Sequence, residues 1–237
     1  MKYKNTIRGI FLDRPNRFVA HVDIEGRTET VHVKNTGRCR ELLLPGVQVV
    51  LEDCGHEMRK TRYDLIAVYK EGRGWINIDS QAPNKVVYEW LNSENAVFRG
   101  ITLIKPEYRY GASRVDFYLE SPGKRILMEV KGCTLERDGK GYFPDAPTER
   151  GVKHLHELAG AAAKGYECFI AFVIAMNGIN AVYPNTEIHP EFAAALETAV
   201  QAGVRVLSLV CWVTADEISI KEAGEMRNGH FVIAGTE

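Results

Sequence analysis

Short runs in which apolar and polar residues alternate dominate the first third of the chain. They are rich in β-branched and aromatic residues and are separated by Gly, Asn and charged residues, a pattern typical of β-strands. The predicted strands are 18–24, 29–33, 47–52, 63–69 and 75–78. A helical segment at 38–44, ended by Pro45 and Gly46, interrupts them. The pattern predicts a compact five-stranded barrel.

This count of strands, with a single helix, fits an oligonucleotide-binding (OB) barrel, a fold that commonly binds single strands along one face. Basic residues gather in the same segment with aromatic residues among them, which suits nucleic acid. The competing interpretation is the solvated outer face of a small barrel. Segments 15–18 and 35–38 favour binding, because amide, glycine and guanidinium groups together can donate to phosphate. The candidate ligands here are Arg14, Asn16, Arg17, Asn35, Arg38, Arg59 and Lys60.

From residue 83 onward the pattern changes, and we expect the chain to divide into domains 1–82 and 83–237. Helices are predicted at 86–91, 152–164 and 190–202, and continuous apolar strands at 168–175 and 204–213, with 217–220 extended. Apolar strands next to helices predict an α/β sheet covered on both faces. The polar, glycine-rich segment 136–141 is expected to be a mobile loop. Glu89, on the first helix, is a secondary candidate site residue, although the sequence alone favours an exposed helix glutamate there.

The segment 114–131 predicts a β-hairpin. Runs 114–120 and 125–135 flank a turn with Pro122 and Gly123 where a type II turn requires them. If residues 121 and 124 close the turn, opposed residues have numbers that sum to 245. Asp116 then lies across from Glu129, and Lys131 shares the face of Glu129.

Two opposed carboxylates with Cβ atoms about 4.5–5.5 Å apart repel each other and need a compensating charge. Lys131 supplies one, and a divalent cation bridging the acids would supply the rest. The order Asp, then Glu-x-Lys, is the core of the PD-(D/E)xK phosphodiesterase motif. An exposed salt bridge is the alternative. The apolar run 126–128 favours a site, since buried carboxylates are rarely kept without partners.

The expected cofactor is therefore Mg²⁺, with Mn²⁺ possible as a substitute. Its predicted ligands are Asp116, Glu129 and the carbonyl of Val130, and Lys131 would orient or deprotonate the attacking water.

Arg150 and Lys153, at the start of a helix that Thr148 or Asp145 could cap, are further phosphate ligands, with solvated charge as an equal alternative. His154 and His156, two residues apart, point in different directions on a helix and predict no joint metal site.

Composition limits the remaining possibilities. The chain has 237 residues, 45% apolar and 26% charged, and its net charge of −1 neither favours nor excludes a polyanion. No apolar run reaches roughly 18 residues and no signal-like stretch follows the N-terminus, so we expect a cytoplasmic protein without membrane partners. Five scattered cysteines predict neither disulfides nor zinc. P-loop and G-x-G-x-x-G motifs do not occur, which leaves nucleotide cofactors unsupported.

Several motifs in order resemble the sugar fermentation stimulation protein A family. They are R-P-N-R-F at 14–18, N-T-G-R at 35–38, L-L-x-P-G at 42–46, R-K-T at 59–61, S-R-x-D-F at 113–117, E-V-K-G-C-T-L at 129–135, F-P-D-A-P-T-E-R-G at 143–151 and H-L-x-E-L at 154–158. The resemblance implies an OB-like N-terminal domain, a C-terminal restriction-endonuclease-like α/β/α domain, DNA binding and a link to sugar metabolism. It also implies that Asp116, Glu129 and Lys131 occupy the nuclease motif positions.

Two functions are consistent with these residues and motifs. The first, which we favour, is a Mg²⁺-dependent nuclease that hydrolyses phosphodiester bonds in DNA. The second is a DNA-binding regulator of sugar metabolism genes that does not cleave. RNA is not excluded as a partner, and strandedness, cleavage mode and oligomeric state stay open.

Overall fold

The structure, a computed structural model, describes residues 1–35, 37–55, 59–94, 97–111, 113–227 and 230–233. Its N-terminal part is a closed barrel of five strands with a sixth strand attached. The strands are β1 (Thr6–Asn16), β2 (Val19–Ile24), β3 (Arg27–Val33), β4 (Gln48–Asp53), β5 (Tyr63–Lys70) and β6 (Gly74–Asn77). Their order is β3-β2-β1-β4-β5-β6, and a parallel pairing of β3 with β5 closes the barrel. The predicted OB-like fold is confirmed.

The sequence pattern missed the first barrel strand. β1 lies between β2 and β4, yet only Gly9 and Phe11 along it are buried. Because its other positions are polar or partly exposed, it has no clear apolar alternation. The predicted strand at 75–78 corresponds to β6, which pairs with β5 outside the closed ring.

The prediction of a helix at 38–44 is wrong. The segment makes a single turn, in which the N–H groups of Leu42 and Leu43 donate to the carbonyl of Cys39 at 3.1 and 2.9 Å. Cys39 has a φ of +45°, which starts the turn in the left-handed region. One turn is too short to continue as a helix, but it carries both leucines into the barrel core.

The C-terminal part is an α/β/α layer structure, as predicted. Its elements are α1 (Ala82–Leu91), β7 (Leu103–Tyr110), β8 (Ser113–Ser121), β9 (Lys124–Cys133), β10 (Leu135–Arg137), β11 (Lys140–Phe143), α2 (Glu149–Ala162), β12 (Glu167–Ile174), β13 (Val182–Pro184), α3 (Pro190–Gln201), β14 (Arg205–Val213), β15 (Ile218–Arg227) and β16 (His230–Ile233). The main sheet has the order β16-β15-β14-β12-β9-β8-β7.

The centre of this sheet is parallel, since β12 pairs in parallel with both β9 and β14. Helix α1 packs on one face, where Val86 and Val87 join the core around Met128. Helices α2 and α3 pack on the other face, where Leu155 and Phe192 join the second core cluster. Strand β9, which carries Glu129 and Lys131, is therefore buried between helical layers.

The segment 136–141, expected to be a mobile loop, is instead part of the β10–β11 hairpin. Asp138 and Gly139 have positive φ values of 51° and 78° and form its turn. Glu136 accepts hydrogen bonds from Lys70 of β5 at 2.7 Å and Arg73 at 2.9 Å, so the hairpin is fastened to the barrel. These bonds lower the pKa of Glu136 to about 2, the Lys70 bond most strongly.

Strands β7 and β16, at the two edges of the sheet, were also not predicted. The division of the chain at residues 82 and 83 stays a prediction. Within the described residues, no helix is long and apolar enough to cross a membrane.

Candidate functional site

The predicted hairpin has the predicted register. Its ladder runs from Ser121 opposite Lys124 to Phe117 opposite Met128, pairs whose numbers sum to 245. Gly123 in the turn has a φ of +75°, a conformation that glycine adopts without steric cost. One residue beyond the last pair, Asp116 extends its carboxylate across to the neighbouring strand.

Asp116 is anchored by two hydrogen bonds. The backbone N–H of Val130 donates to its Oδ2 at 2.7 Å, and the Asn84 amide of α1 donates to its Oδ1 at 2.8 Å. Burial and the negative charge of Glu129 raise the pKa of Asp116. The two hydrogen bonds and the Lys131 charge lower this pKa by less, so the net shift is upward. Asp116 is thus held beside Glu129 in a position that disfavours its own ionisation.

Glu129 is buried, with a side chain only 3% exposed, and it has two polar partners. Lys131 Nζ donates to Glu129 Oε1 at 2.6 Å, and His154 Nδ1 donates to the same oxygen. Burial alone would raise the pKa of Glu129, but the His154 hydrogen bond and the Lys131 charge outweigh burial and lower it. Among the described residues both bonds end on Oε1, which leaves Oε2 for a further ligand.

His154, like Asn84, is a residue of this site to which the sequence pattern assigned no role. It lies on α2, whose first turn is capped by Thr148, with the Thr148 hydroxyl accepting from the Gly151 N–H at 3.0 Å. Its Nε2 accepts from Arg150 Nε at 3.3 Å while its Nδ1 faces Glu129. His154 is also four residues before the buried Leu158. That helical spacing is the signal by which its inward orientation could have been found.

The two basic candidates on α2 differ in their surroundings. Arg150 is exposed and reaches the carboxylate site through His154. Lys153 points to solvent and lies 3.8 Å from Glu157. Glu89, on α1, does not contact Asp116; its carboxylate lies 2.6 Å from the amino group of Met1, and Asn84 is the α1 residue that reaches Asp116.

Arg14, a predicted phosphate ligand that also lines the barrel segment, donates its guanidinium hydrogen bonds to backbone carbonyls. Its Nη1 donates to Gly37 and Arg38 at 2.9 and 2.8 Å, and its Nη2 donates to Arg17 and Asn35, both at 2.7 Å. The guanidinium therefore ties the loop after β1 to the loop after β3.

Two predicted amide ligands also build these loops. Asn16 Oδ1 accepts from the N–H groups of Phe18 and Val19 at 2.9 and 3.1 Å. Asn35 donates to the carbonyl of Ile78 and accepts from the Gly37 N–H. Both side chains are engaged in hydrogen bonds that shape the loops, although Asn16 is exposed, which leaves the charged tips of the loops for a ligand.

The exposed basic residues of these loops line one open groove of about 450 Å³, which we call the barrel groove. Its exposed cations are Arg17, Arg38 and Arg40. The Arg17 guanidinium lies 4.8 Å from the centre of the Phe18 ring, which is 46% exposed. A cationic groove beside an exposed aromatic ring offers contacts for both phosphate and base.

Arg59 and Lys60 lie apart from the barrel groove. Arg59 forms an ion pair with the buried Asp64, whereas Lys60 is exposed. Burial alone would raise the pKa of Asp64, but the Arg59 hydrogen bond, with help from Cys54 and Lys34, lowers it to about 2. Possible metal-ligating atoms of Glu52, Cys54 and Asp64 lie within 4.8 Å of one another. Because Lys34 and Arg59 already neutralise Asp64, this cluster is better explained as an ion-pair network.

Two family models match the chain. One, described as the sugar fermentation stimulation protein RE domain, matches residues 81–217, and the other, the SfsA N-terminal OB domain, matches residues 12–78. A sugar fermentation stimulation protein homolog of Ruminiclostridium cellulolyticum is 52% identical over 227 residues, or 96% of this chain and 100% of that protein. The Desulfitobacterium hafniense homolog is 54% identical over 225 residues, covering 95% of this chain and 96% of that protein.

A solved structure described as Pyrococcus furiosus SfsA in complex with Ca²⁺ is similar over nearly the whole length. It has a TM-score of 0.82 and 30% identity, and the match covers 94% of this chain and 96% of that one.

We predict that His154→Leu lowers the free energy of unfolding by about 1–3 kcal/mol at neutral pH, because the buried Glu129 carboxylate loses a hydrogen bond. Since this bond lowers the Glu129 pKa, its stabilisation is present above the unfolded pKa of about 4.3 and is lost as pH falls through the folded pKa. Urea titrations between neutral and acid pH measure both effects. His156→Leu, at an exposed position two residues away, is the control. A loss that is the same at every pH would contradict this coupling.

Proposed function

This chain belongs to the sugar fermentation stimulation protein family, and we propose that it binds DNA and hydrolyses phosphodiester bonds as a divalent-metal-dependent nuclease. The observation that supports the proposal most directly is the group of Asp116, Glu129 and Lys131 on adjacent strands, in which Glu129 is buried and the other two are partly buried. The pKa values of the two carboxyl groups are shifted in opposite directions, which is typical of groups with different chemical tasks.

The donor atoms of the site fit a hard divalent cation. Asp116, Glu129 and the carbonyl of Val130 would hold it, and oxygen ligands of this kind suit Mg²⁺, Mn²⁺ and Ca²⁺. The fit has a physical basis, because burial and the Glu129 charge raise the pKa of Asp116, and a cation would relieve the repulsion between the two carboxylates. The Pyrococcus furiosus relative is described as a complex with Ca²⁺, which agrees with an oxygen-ligand site in this family. When bound, such a metal polarises a phosphoryl oxygen and increases the acidity of bound water.

The remaining residues would prepare this site for a phosphodiester. Lys131, held 2.6 Å from Glu129, would orient or deprotonate the attacking water and offset the negative charge that develops on the phosphate. The Val130 N–H and the Asn84 amide fix the position of Asp116. His154 fixes Glu129, and Arg150 in turn contacts His154.

The barrel would supply most of the affinity for the polyanion. Arg17 and Arg38, exposed in the barrel groove, are proposed to contact phosphates, and Arg14, Asn16 and Asn35 to shape the loops that carry them. Arg59, Lys60, Arg150 and Lys153 stay predicted phosphate ligands outside that groove. RNA presents the same phosphates, so nucleic-acid type has to be measured.

We predict saturable binding of Mg²⁺, Mn²⁺ and Ca²⁺, observed by calorimetry and lost in an Asp116→Ala, Glu129→Ala double variant. Affinity should fall as pH falls through the pKa of Asp116, which lies above its ordinary value of about 4. Glu52→Ala, in the other acidic cluster, is the control and should bind as wild type. Loss of binding in Glu52→Ala alone would move the metal site into the barrel.

Cleavage is tested with labelled single- and double-stranded DNA and RNA in Mg²⁺ or Mn²⁺. Lys131→Ala and Glu129→Gln should each slow cleavage by at least about 10²–10⁴-fold, because each removes a group positioned at the reacting phosphate. Binding of Lys131→Ala should stay close to that of wild type.

Lys124→Ala, an exposed lysine at the other end of β9, is the matched control and should cleave normally. Wild-type protein that binds DNA but cleaves no substrate of the panel would refute the nuclease proposal. That outcome would favour the non-cleaving regulator.

The contribution of the barrel groove is tested by the salt dependence of DNA binding. The Arg17→Ala, Arg38→Ala variant should lose affinity, and the slope of log K against log salt should become shallower by about 1–2, since each phosphate contact releases counterions. Fluorescence anisotropy at several salt concentrations measures this slope. Arg27→Ala, an exposed arginine on β3, is the control. Equal slopes in the double variant and wild type would place the phosphate contacts elsewhere.

A further inference from the structure

A second groove, which includes Asp116, lies between α1 and strands β7 and β8; we call it the α1 groove. It has a volume of about 390 Å³ and is lined by Asn84, Tyr88, Pro106, Asp116 and Phe117. That volume is within the range of about 300–1,000 Å³ that is typical of small-molecule pockets. Asp116 therefore belongs both to the carboxylate pair and to the wall of this groove.

The exposed aromatic residue in the α1 groove is Tyr88. Tyr88 is 45% exposed, and its ring lies nearly parallel to the ring of Phe117, with 6.4 Å between the ring centres and 17° between the planes. Phe117 is 1% exposed and is fixed in the core. The Tyr88 ring is thus an exposed aromatic surface supported from beneath by a rigid one.

The acidic residues at the rim of the α1 groove do not prevent a nucleic-acid strand, which is an anion, from binding there. Glu107 lies 3.0 Å from Arg114, and Glu89 lies 2.6 Å from the amino group of Met1. Lys85, also at the rim, is exposed and adds a positive charge. The rim therefore has a nearly balanced charge around an apolar centre, which suits an uncharged ring better than a phosphate.

We propose that the α1 groove binds an unpaired nucleobase, which stacks on Tyr88 while an adjacent phosphate lies at Asp116 and Lys131. This inference rests on the proposed function and specifies its substrate. Base–aromatic stacking needs a free base face, and bases inside a duplex have none. The preferred substrate is consequently a single strand, or a nucleotide extruded from a duplex, next to the cleaved bond.

The test compares two labelled oligomers of equal phosphate number, a deoxythymidine oligomer and the same backbone without bases. Their affinities are measured by anisotropy in Ca²⁺, with gel electrophoresis to verify that the oligomers stay intact. The affinity ratio between the two reports stacking, because their phosphate contacts are the same. Tyr88→Ala should lower this ratio by about 5- to 150-fold, and Tyr88→Phe, which retains the ring, should preserve it.

Two further variants strengthen the test. Tyr88→Leu keeps apolar cover over Phe117 but has no aromatic ring, so it should also lower the ratio even if Tyr88→Ala is unstable. Trp212→Ala removes an aromatic residue that is 56% exposed on β14, outside the α1 groove, and should keep the wild-type ratio.

The possible results distinguish a failure of base binding in the α1 groove from a failure of the proposed function. An unchanged ratio in Tyr88→Leu, or equal affinity of wild type for both oligomers, overturns base binding in the α1 groove while nucleic-acid binding stands. A wild type that binds neither these oligomers nor duplex DNA overturns the proposed function as well.

Discussion

Burying the Glu129 carboxylate beside Asp116 is the constraint on which the C-terminal part of the chain depends. An unpaired charge at that depth would cost several kcal/mol, so each neighbouring element contributes a compensating group. Strand β9 contributes Lys131, and α2 contributes His154. Helix α1 and the β9 backbone hold Asp116. The positions of the helices on both sides of the sheet are therefore tied to the same pair of acids.

The barrel is connected to this arrangement through the segment before α2. A Cβ atom on Gly37 would crowd Asp145 Oδ2, so a larger residue there would require the Asp145 side chain to shift. Asp145 is three residues before the Thr148 cap. The loop that exposes Arg38 thus contacts the segment that leads into α2, the helix on which His154 lies.

The sequence predicted contacts between residues that are close in the chain better than contacts between residues that are distant in it. The Asp116 and Glu129 positions followed from a short turn whose geometry fixes the register, and such a contact needs no knowledge of the rest of the fold. The inward orientation of His154 required the packing of α2 against β9. Arg14 carried a charge that suggested phosphate, but three of its four partners are carbonyls more than twenty residues away in the chain, at Asn35, Gly37 and Arg38.

The energetic cost of Asp116 beside Glu129 also indicates whether the site has a structural or a chemical role. Replacing buried charged groups by apolar residues is often neutral or stabilising, and burial together with the Glu129 charge disfavours ionised Asp116. A fold selected for stability alone would have no use for this carboxylate. Asp116 nonetheless receives two hydrogen bonds that hold its oxygens in place, and it opens onto a groove with an exposed aromatic ring. Binding of a cation and a phosphodiester requires a carboxylate that is fixed in position and accessible from a groove, so the cost of keeping Asp116 favours a chemical role for the site over a structural one.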